Sequence, residues 1–368
     1  MSFDFHNPDV ARQSRMIEGL RLPLMIGIVF AHAYGAPAAA DATGLMAFYE
    51  VCRSAISHVI SHCGVTVFFL ISGYLFFLRV EQWNLAVYFG KMRRRVRSLI
   101  LPYFLWSVLY ILCLAMRSPD ASAYLATVNW HWFWDLITIH HHATFWSATQ
   151  TAYVPMLYPF WFVRDLIGVS FLTLLLYPLL QRCGRWFLAG IFVILFASCA
   201  PNLPGFSIMA IAYFSLGAYI ALRKQLLTTV AWQVRYLAGI CALVLGIPVI
   251  ALDGVDTPIV ASIQPVLLCA LTFCVLNLGG WLERRGKMAL SLRFSSTAFF
   301  LYGLHAMLIE PVAQALSRAL PGEAPLLLLC RYLLLPFIIA AVSIALYALL
   351  QRFACPVLRL FTGGRASR

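Results

Sequence analysis

The chain has 368 residues, of which 62% are hydrophobic and only 11% are charged, and its mean hydropathy is +0.83. Soluble domains are nearer half apolar and a quarter charged, so this composition excludes a water-soluble enzyme and also a disordered chain. The formal net charge of +13 at pH 7 would suggest a nucleic-acid partner in a soluble protein. In a membrane protein it more often records topology, so the placement of the basic residues decides what it means.

The apolar residues occur in unbroken runs of about twenty rather than in the alternating ten-residue segments of an outer-membrane barrel. We therefore predict an all-α fold, a polytopic transmembrane bundle of about ten helices. The predicted spans are residues 18–36, 55–78, 98–116, 160–180, 186–200, 204–222, 233–252, 257–280, 295–316 and 326–350. Residues 1–352 form one domain in this prediction, and residues 353–368 form a short basic tail. The long connection 117–159 can hold an amphipathic or re-entrant segment.

The basic residues divide unevenly between the two sides of the membrane. With the N-terminus in the cytoplasm, ten spans place 22 of the 27 Lys and Arg residues on the cytoplasmic side. This positive-inside pattern predicts that both termini are cytoplasmic, that the basic residues meet membrane lipids, and that there is no nucleic-acid partner. The Ala-Pro-Ala-Ala-Ala sequence at 36–40 leaves a cleaved signal peptide as an alternative, which His32 within the apolar run disfavours.

The Cys and His residues do not predict a metal centre. The ten cysteines are scattered and none forms a C-x-x-C pair, so neither a disulfide framework nor a zinc site is expected. His58 and His62 are spaced i, i+4, and residues 140–142 are all His. A helical His pair can bind a metal, but the expected carboxylate or third ligand is missing nearby.

Two ionisable residues occupy the first predicted span, Arg21 and His32. Eleven residues of α-helix turn close to three full turns and rise about 16 Å, so the two side chains share one face. An ionisable side chain in hydrocarbon is a functional candidate because its burial is costly. The pattern fits a polar channel with a base inside it, or a snorkelling Arg together with a His that hydrogen-bonds a neighbouring helix.

A second cluster of basic residues lies just before the third span. On a helix Arg94 and Arg97 are neighbours (i, i+3), as are Arg93 and Arg97 (i, i+4), with Lys91 and Arg95 close by. The cluster fits an anchor to anionic lipid headgroups or a site for a polyphosphorylated ligand, since guanidinium groups match phosphate geometry.

Five motifs in this order resemble the acyltransferase 3 family of integral-membrane acyltransferases, over residues 12 to 352. They are Arg21-x10-His32, Phe68-Phe-Leu-Ile-Ser72-Gly73-Tyr74-Leu, Arg94-x-x-Arg97 followed by Leu-Pro-Tyr103, Trp161-Phe-Val-Arg164-Asp165-Leu, and Phe299-Phe-Leu-Tyr302-Gly-Leu-His305. Each motif is weak by itself, and the five together in the family's order are specific.

The resemblance implies an O-acyltransferase of the bacterial inner membrane. Its donor would be acetyl from cytoplasmic acetyl-CoA, and its acceptor a sugar hydroxyl of a cell-surface polysaccharide or lipid-linked glycan. It implies that His32 is the general base, that Arg21 binds a coenzyme A phosphate or steadies the thioester oxyanion, and that Arg94 and Arg97, with Arg93 beside them, bind the donor phosphates.

Weaker candidates for acceptor binding come from the last two motifs. Arg164 and Asp165, at the outer edge of the fourth span in this prediction, fit a sugar grip or an internal ion pair, and Trp161 opens the same motif. His305 fits a residue that orients His32, a sugar contact or a satisfied core histidine. Trp130, Trp132 and Trp134, with His131, fit a membrane-interface belt or sugar stacking.

Two other classes of protein remain as alternatives at this point. A polytopic transporter or flippase of lipid-linked sugars would also carry Arg and His inside the membrane, but transporters often show matching halves, which this sequence does not. A membrane-embedded sensor or scaffold would not need a basic cluster above a buried His.

Overall fold

The structure of the chain, a computed structural model, describes residues 7–33, 43–126, 136, 139–141, 152–197, 207–252 and 258–364. The alternative cleavage site at 36–40 and the Trp- and His-rich stretch 130–134 lie outside the described residues.

Helices make up most of this part of the chain. The α-helices are α1 (Pro8–His32), α2 (Gly44–Ser54), α3 (Cys63–Phe77), α4 (Leu85–Arg95), α5 (Leu101–Arg117), α6 (Ala121–Ala126), α7 (Trp161–Phe196), α8 (Ile208–Leu222), α9 (Leu227–Gln233), α10 (Arg235–Ala251), α11 (Pro258–Arg284), α12 (Ala289–Arg293), α13 (Ala298–Ala319), α14 (Pro325–Phe353) and α15 (Cys355–Thr362). Two π-helical segments, Ala55–Ile60 and Val96–Ile100, lead into α3 and α5, and 3₁₀ turns, Tyr158–Phe160 and Ser295–Thr297, precede α7 and α13.

Six helical runs within the described residues are long and apolar enough to cross a membrane. They are Gly44–Phe77, Leu85–Arg117, Tyr158–Phe196, Ser262–Arg284, Ser295–Ala319 and Pro325–Phe353, with a seventh if α9 and α10, which meet at 67°, count as one span. A multi-pass helical membrane protein is thereby confirmed. The number ten and the cytoplasmic orientation of the termini stay predictions.

The fourth and fifth predicted spans lie almost entirely within Trp161–Phe196, where two helical segments, together labelled α7, follow one another across a break. Its backbone leaves the helical region at Cys183, where φ is −135° and ψ is 29°. Arg182 and Arg185 flank this break. The sequence boundary between the two predicted spans therefore corresponds to the kink that separates the two helical segments.

The all-helical fold class is confirmed, and the long connection 117–159 adds one short pair of strands. Two three-residue strands, β1 (Ile139–His141) and β2 (Ala152–Val154), pair antiparallel, with Ile139 opposite Val154. Backbone groups outside a helix need other partners, and pairing between two short strands supplies them locally.

The closest helix contact lies between α3 and α8. A Cβ placed on Gly73 would lie 1.9 Å from the Phe214 carbonyl oxygen, and a Cβ on Gly217 would lie 1.9 Å from that of Leu70. Any side chain at either position would therefore collide with the opposite backbone. Small residues allow this approach in membrane helices, so the Gly of the Ser72-Gly73-Tyr74 motif serves packing.

Tyr74 of the same motif ties α3 to α1. Its hydroxyl accepts a hydrogen bond from Gln13 Nε2 (2.9 Å) and donates one to the Gln225 carbonyl oxygen (3.1 Å). Gln13 Oε1 in turn accepts from the Thr228 backbone N–H (3.2 Å). This buried network sets the position of the N-terminal half of α1, the helix that carries Arg21 just past its midpoint.

Candidate active site

A cavity of about 520 Å³ opens between α1, α3, α4 with its π-helical extension, α7 and α13. This volume lies within the range of small-molecule sites. Its wall is formed by Glu18, Arg21, Met25, Ile28, Phe68, Ile71, Ser72, Leu75, Phe76, Lys91, Arg94, Arg95, Ser98, Leu99, Phe162, Val163, Leu166, Ser295, Ser296, Ala298, Phe299 and Tyr302. All five sequence motifs contribute to this wall, so residues far apart in the chain meet at one site.

Four cationic side chains share one part of the cavity wall, which we call the basic mouth: Arg21, Lys91, Arg94 and Arg95. The Lys91 ammonium donates a hydrogen bond to the Phe76 carbonyl oxygen and lies 4.8 Å from the centre of the Phe76 ring. The Arg95 guanidinium lies 5.4 Å from the same ring. The aromatic ring therefore orders two of the four charges.

Polar groups without positive charge complete the basic mouth. Glu18 stands one turn before Arg21 on α1, and its Oε1 accepts a hydrogen bond from Ser295 Oγ (3.2 Å). Ser295 and Ser296 belong to the turn that leads into α13. The N-terminal end of that helix therefore faces the mouth, and its partial positive charge adds to that of the side chains.

The structure separates the arginines that the sequence grouped as a donor site. Arg93, Arg94 and Arg97 are all exposed, and of the three only Arg94 belongs to the cavity wall among the described residues. The wall uses residues 91, 94, 95 and 98, which recur at helical spacing on one face. Arg97 is two residues beyond Arg95 and so points about 200° away from it. The face that meets the cavity therefore includes Arg95, which the sequence did not single out, in place of Arg97.

Away from the basic mouth the cavity is apolar. Met25, Ile28, Phe68, Phe162 and Phe299 line this part. The cavity can therefore bind a ligand that has a negatively charged group at one end and a mostly apolar group at the other.

His32 and His305 lie side by side beyond the apolar end. Their ring centres are 5.3 Å apart, and the Tyr158 ring stands edge-on to His32 at 5.7 Å. The cavity wall ends at Ile28 and Tyr302, each one helical turn before one of these histidines. The structure thus brings His32 to His305 and brings Arg21 to Arg94, while His32 itself lies one turn beyond the wall.

The tautomer of His305 follows from its contacts. The side chain is fully buried and its Nδ1 lies 2.7 Å from the Tyr302 carbonyl oxygen. A carbonyl can only accept, so Nδ1 carries the proton and the neutral ring has its lone pair at Nε2. That Nε2 is buried without a hydrogen-bond partner among the described residues. His305 therefore presents an unused acceptor in the neighbourhood of His32.

Arg164 and Asp165 form an internal ion pair. Their closest atoms are 2.8 Å apart, Asp165 is fully buried, and only 10% of the Arg164 side chain is exposed. The neighbouring Val163 lies in the cavity wall together with Arg94, so the pair sits beside the cavity, in the first turns of α7. Trp161 packs against Phe69 (6.3 Å between ring centres). The ion pair that the sequence allowed is therefore present, and a role in acceptor binding stays a prediction.

The sequence did not reveal a segment that packs beside the histidines, residues 157–160, which we call the plug. Leu157 and Phe160 are fully buried, and Tyr158 contacts His32. The Tyr302 hydroxyl donates a hydrogen bond to the Pro159 carbonyl oxygen, and the Phe160 and Tyr302 rings stack at 5.1 Å. Non-helical backbone inside a membrane bundle needs such partners. The only sequence signal was the length of the connection.

Tyr103 holds a second part of the long connection. Its hydroxyl donates a hydrogen bond to the Leu136 carbonyl oxygen, and its ring packs on Phe160 at 5.6 Å. The tyrosines of two separate motifs, Leu-Pro-Tyr103 and Phe-Leu-Tyr302, thus both bind carbonyl groups of this connection.

Within the described residues, no group of three His, Cys, Asp or Glu side chains is arranged to hold a metal ion. His58 and His62 lie 6.2 Å apart between ring centres, and His62 Nδ1 contacts the Ser57 carbonyl oxygen at 2.7 Å.

Comparison with known proteins agrees with this geometry. The family model of the acyltransferase 3 domain matches residues 15–349. The chain belongs to the acyltransferase 3 family. This membership confirms the resemblance drawn from the five motifs, identifies the protein as a membrane acyltransferase and counts against a transporter.

Among curated proteins, the chain is similar to the succinoglycan biosynthesis protein ExoH of Rhizobium meliloti (strain 1021). The two are 25% identical over 385 residues, covering 96% of this chain and 93% of the relative. No solved structure matches the chain.

Proposed function

We propose that the protein transfers acetyl from cytoplasmic acetyl-CoA to a sugar hydroxyl of a cell-surface polysaccharide or lipid-linked glycan, in the inner membrane of a bacterium. One observation carries the proposal: a basic mouth leads through an apolar cavity towards a pair of histidines. Membership in an acyltransferase family supports the reaction class, and similarity to a succinoglycan biosynthesis protein supports a polysaccharide acceptor.

Coenzyme A fits this arrangement in its chemistry. Its phosphates carry the negative charge that Arg21, Lys91, Arg94 and Arg95 would bind, and guanidinium groups match phosphate oxygens in pairs. The long pantetheine arm would follow the apolar wall past Met25, and the thioester would reach the histidine end. Arg21 lies about 16 Å from His32 along α1, so phosphate binding suits it better than contact with the thioester oxyanion.

His32 would act as the general base. The sugar hydroxyl oxygen attacks the thioester carbonyl carbon while an imidazole nitrogen of His32 takes the hydroxyl proton. The tetrahedral intermediate then collapses, the carbon–sulfur bond breaks, and coenzyme A leaves and takes the proton from His32 as its thiol. His305, held by the Tyr302 carbonyl, would keep a lone pair towards the His32 ring and so favour one ring orientation.

The plug would close the histidine end until an acceptor arrives. An acceptor hydroxyl must compete with water for the thioester, and exclusion of water prevents hydrolysis. The fully buried Leu157 and Phe160 supply the apolar barrier.

Membrane vesicles of known orientation test the proposed function. Inverted vesicles, which expose the cytoplasmic face, should transfer radiolabel from acetyl-CoA to extractable glycan, and right-side-out vesicles should not. Vesicles from a strain that lacks the gene should show no transfer, with activity restored by the wild-type gene.

Two results would contradict parts of the proposal. Transfer from succinyl-CoA but not from acetyl-CoA would overturn the acyl group while leaving the enzyme class intact. Glycan acylation that is unchanged in the deletion strain would overturn the acceptor class.

A further inference from the structure

The C-terminal helix α15 lies beyond the region that defines the family and is nevertheless packed into the bundle. Leu358 and Thr362 are fully buried on its inner face. The Trp106 indole N–H donates a hydrogen bond to the Phe361 carbonyl oxygen (3.0 Å), and the rings of these two residues lie 5.0 Å apart. A segment that the sequence suggests is a basic tail thus makes a specific contact with α5.

The residue that follows α15 rests directly on the donor-site backbone. Gly363 adopts a left-handed conformation (φ 63°). A Cβ built on it would lie 2.6 Å from the Ser98 carbonyl oxygen and 2.7 Å from the Ser98 Cα, closer than such atoms approach one another. Ser98 is part of the cavity wall and of the π-helical segment Val96–Ile100.

The indole of Trp106 connects the same contact to the helix that bears His305. A Cβ placed on Gly303 would lie 2.1 Å from Trp106 Cε2, so the ring is pressed against the α13 backbone. Trp106 is only 1% exposed. It therefore fills the space between α15 and the position two residues before His305.

A π-helical turn needs support from its surroundings. Such turns are rare, and they occur as single insertions within α-helices, frequently at functional sites. The segment Val96–Ile100 directly follows Arg94 and Arg95, so its shape decides how these guanidinium groups are presented to the cavity. Gly363 contacts Ser98, which is the middle residue of this turn.

We propose that α15 buttresses the donor site, and that Gly363 is a positioning residue for the acyl-CoA. Through its contact with Ser98 it holds the π-helical turn in the shape that keeps Arg94, Arg95 and Ser98 in the cavity wall. This role rests on the proposed function, because it assigns the basic mouth to the donor phosphates.

Two neighbouring glycines provide a matched test. Gly363 and Gly364 both have positive φ, 63° and 77°, so an alanine at either position pays a similar backbone strain. Only at Gly363 does the added Cβ meet Ser98; at Gly364 it meets nothing within 4 Å. The comparison therefore isolates the contact from the loss of glycine.

The measurements are the KM for acetyl-CoA, the KM for the acceptor, kcat, and the Kd for coenzyme A in detergent. We expect Gly363→Ala to raise the donor KM and the coenzyme A Kd about tenfold, comparable to the loss of one charge-assisted hydrogen bond. The acceptor KM and kcat at saturating donor should stay at the wild-type values, and Gly364→Ala should match wild type throughout.

Phe361→Leu in the full chain, which removes the ring contact between α15 and Trp106, serves as the second variant if Gly363→Ala does not fold. It should show the same selective loss of donor affinity. If a folded variant binds the donor as tightly as wild type, whether or not its kcat falls, the proposed role of Gly363 is wrong. Wild-type protein that binds no coenzyme A would overturn the proposed donor as well, which separates the two failures.

Discussion

The two ends of the candidate site differ in how they handle charge and water. At the basic mouth, four cations line an open cavity and one carboxylate, that of Glu18, stands among them. At the histidine end, His305 is fully buried, and His32, which is partly buried, meets the Tyr158 ring of the plug edge-on. Both ends draw on α1, through Arg21 and His32. Helix α1 thus connects a region suited to binding an anion that arrives from water with a region suited to acyl transfer, where water would hydrolyse the thioester.

This comparison teaches that binding and reaction are separated along the helix axis. Ionic contacts near bulk water are screened and can be lost singly at modest cost. A general base contributes more to the rate than any single ionic contact of this kind contributes to binding. We therefore expect changes at the histidine end to affect the rate strongly and changes at the basic mouth to affect donor affinity.

The largest effect is expected at His32. A general base contributes ~10²–10⁴-fold to the rate, so His32→Ala should reduce glycan acylation below detection in the vesicle assay. Expression, membrane insertion and coenzyme A binding should persist, because the basic mouth is untouched. These three properties, measured on the detergent-purified protein, are the controls.

His32→Gln separates a base from a structural histidine. Glutamine can replace a hydrogen bond but cannot take a proton at neutral pH. An inactive, folded Gln variant is expected. Near-normal acylation would contradict the role of His32 as the base and direct the search to His305.

An intermediate effect is expected at the basic mouth. Arg94→Ala and Arg95→Ala should each raise the KM for acetyl-CoA about tenfold, since each removes a guanidinium from a partly solvated phosphate site. Arg97→Ala, in the same cluster but outside the cavity wall, is the matched control and should stay close to wild type. Lysine at position 94 should restore only part of the affinity, because it lacks the bidentate fork.

The salt dependence of coenzyme A binding sharpens the same test. Affinity of the wild type should fall as ionic strength rises, and the Arg94→Ala variant should show a weaker dependence. Equal affinities for the Arg94, Arg95 and Arg97 variants would contradict the geometric distinction and make the cluster an anchor to lipid headgroups.

The smallest effect is expected at the plug. Tyr302→Phe removes the hydroxyl that donates to the Pro159 carbonyl, a contact worth ~1 kcal/mol. We expect acetyl-CoA hydrolysis in the absence of acceptor to rise about fivefold, because the plug opens more often. Free coenzyme A release, followed with a thiol reagent, measures this.

Tyr347→Phe is the control for the plug. Tyr347 lies on α14 and is buried against Phe300 of α13, the helix that carries Tyr302. Its hydroxyl has no hydrogen-bond partner among the described residues. The same chemical change there should leave hydrolysis at the wild-type rate. A rise in both variants would mean that loosening α13, rather than the plug, admits water.

Much of the fold class could be predicted because hydropathy depends on local composition. Apolar runs of about twenty residues predicted membrane helices, and the boundary between the predicted spans 160–180 and 186–200 corresponds to the break at Cys183. The hairpin of β1 and β2 could not be predicted, because a three-residue strand leaves no periodicity to read.

The candidate site divides in the same way. The helical spacing of Arg21 and His32 correctly predicted one helix that carries both, and the order of the five motifs correctly predicted the family. The sequence could not predict that Arg95, rather than Arg97, lies in the cavity wall. Spacing states which arginines neighbour each other on a helix, but not which of its faces turns to the other helices.

The sequence by itself therefore determined that this protein is a helical, multi-pass membrane acyltransferase, since hydropathy and motif order reside in neighbouring residues. The tertiary structure decided how the motifs meet: Tyr302 beneath the plug, Gly73 against the Phe214 backbone, and Gly363 on Ser98. These contacts join residues up to hundreds of positions apart. They depend on shape complementarity between packed helices, a property that no single stretch of sequence contains.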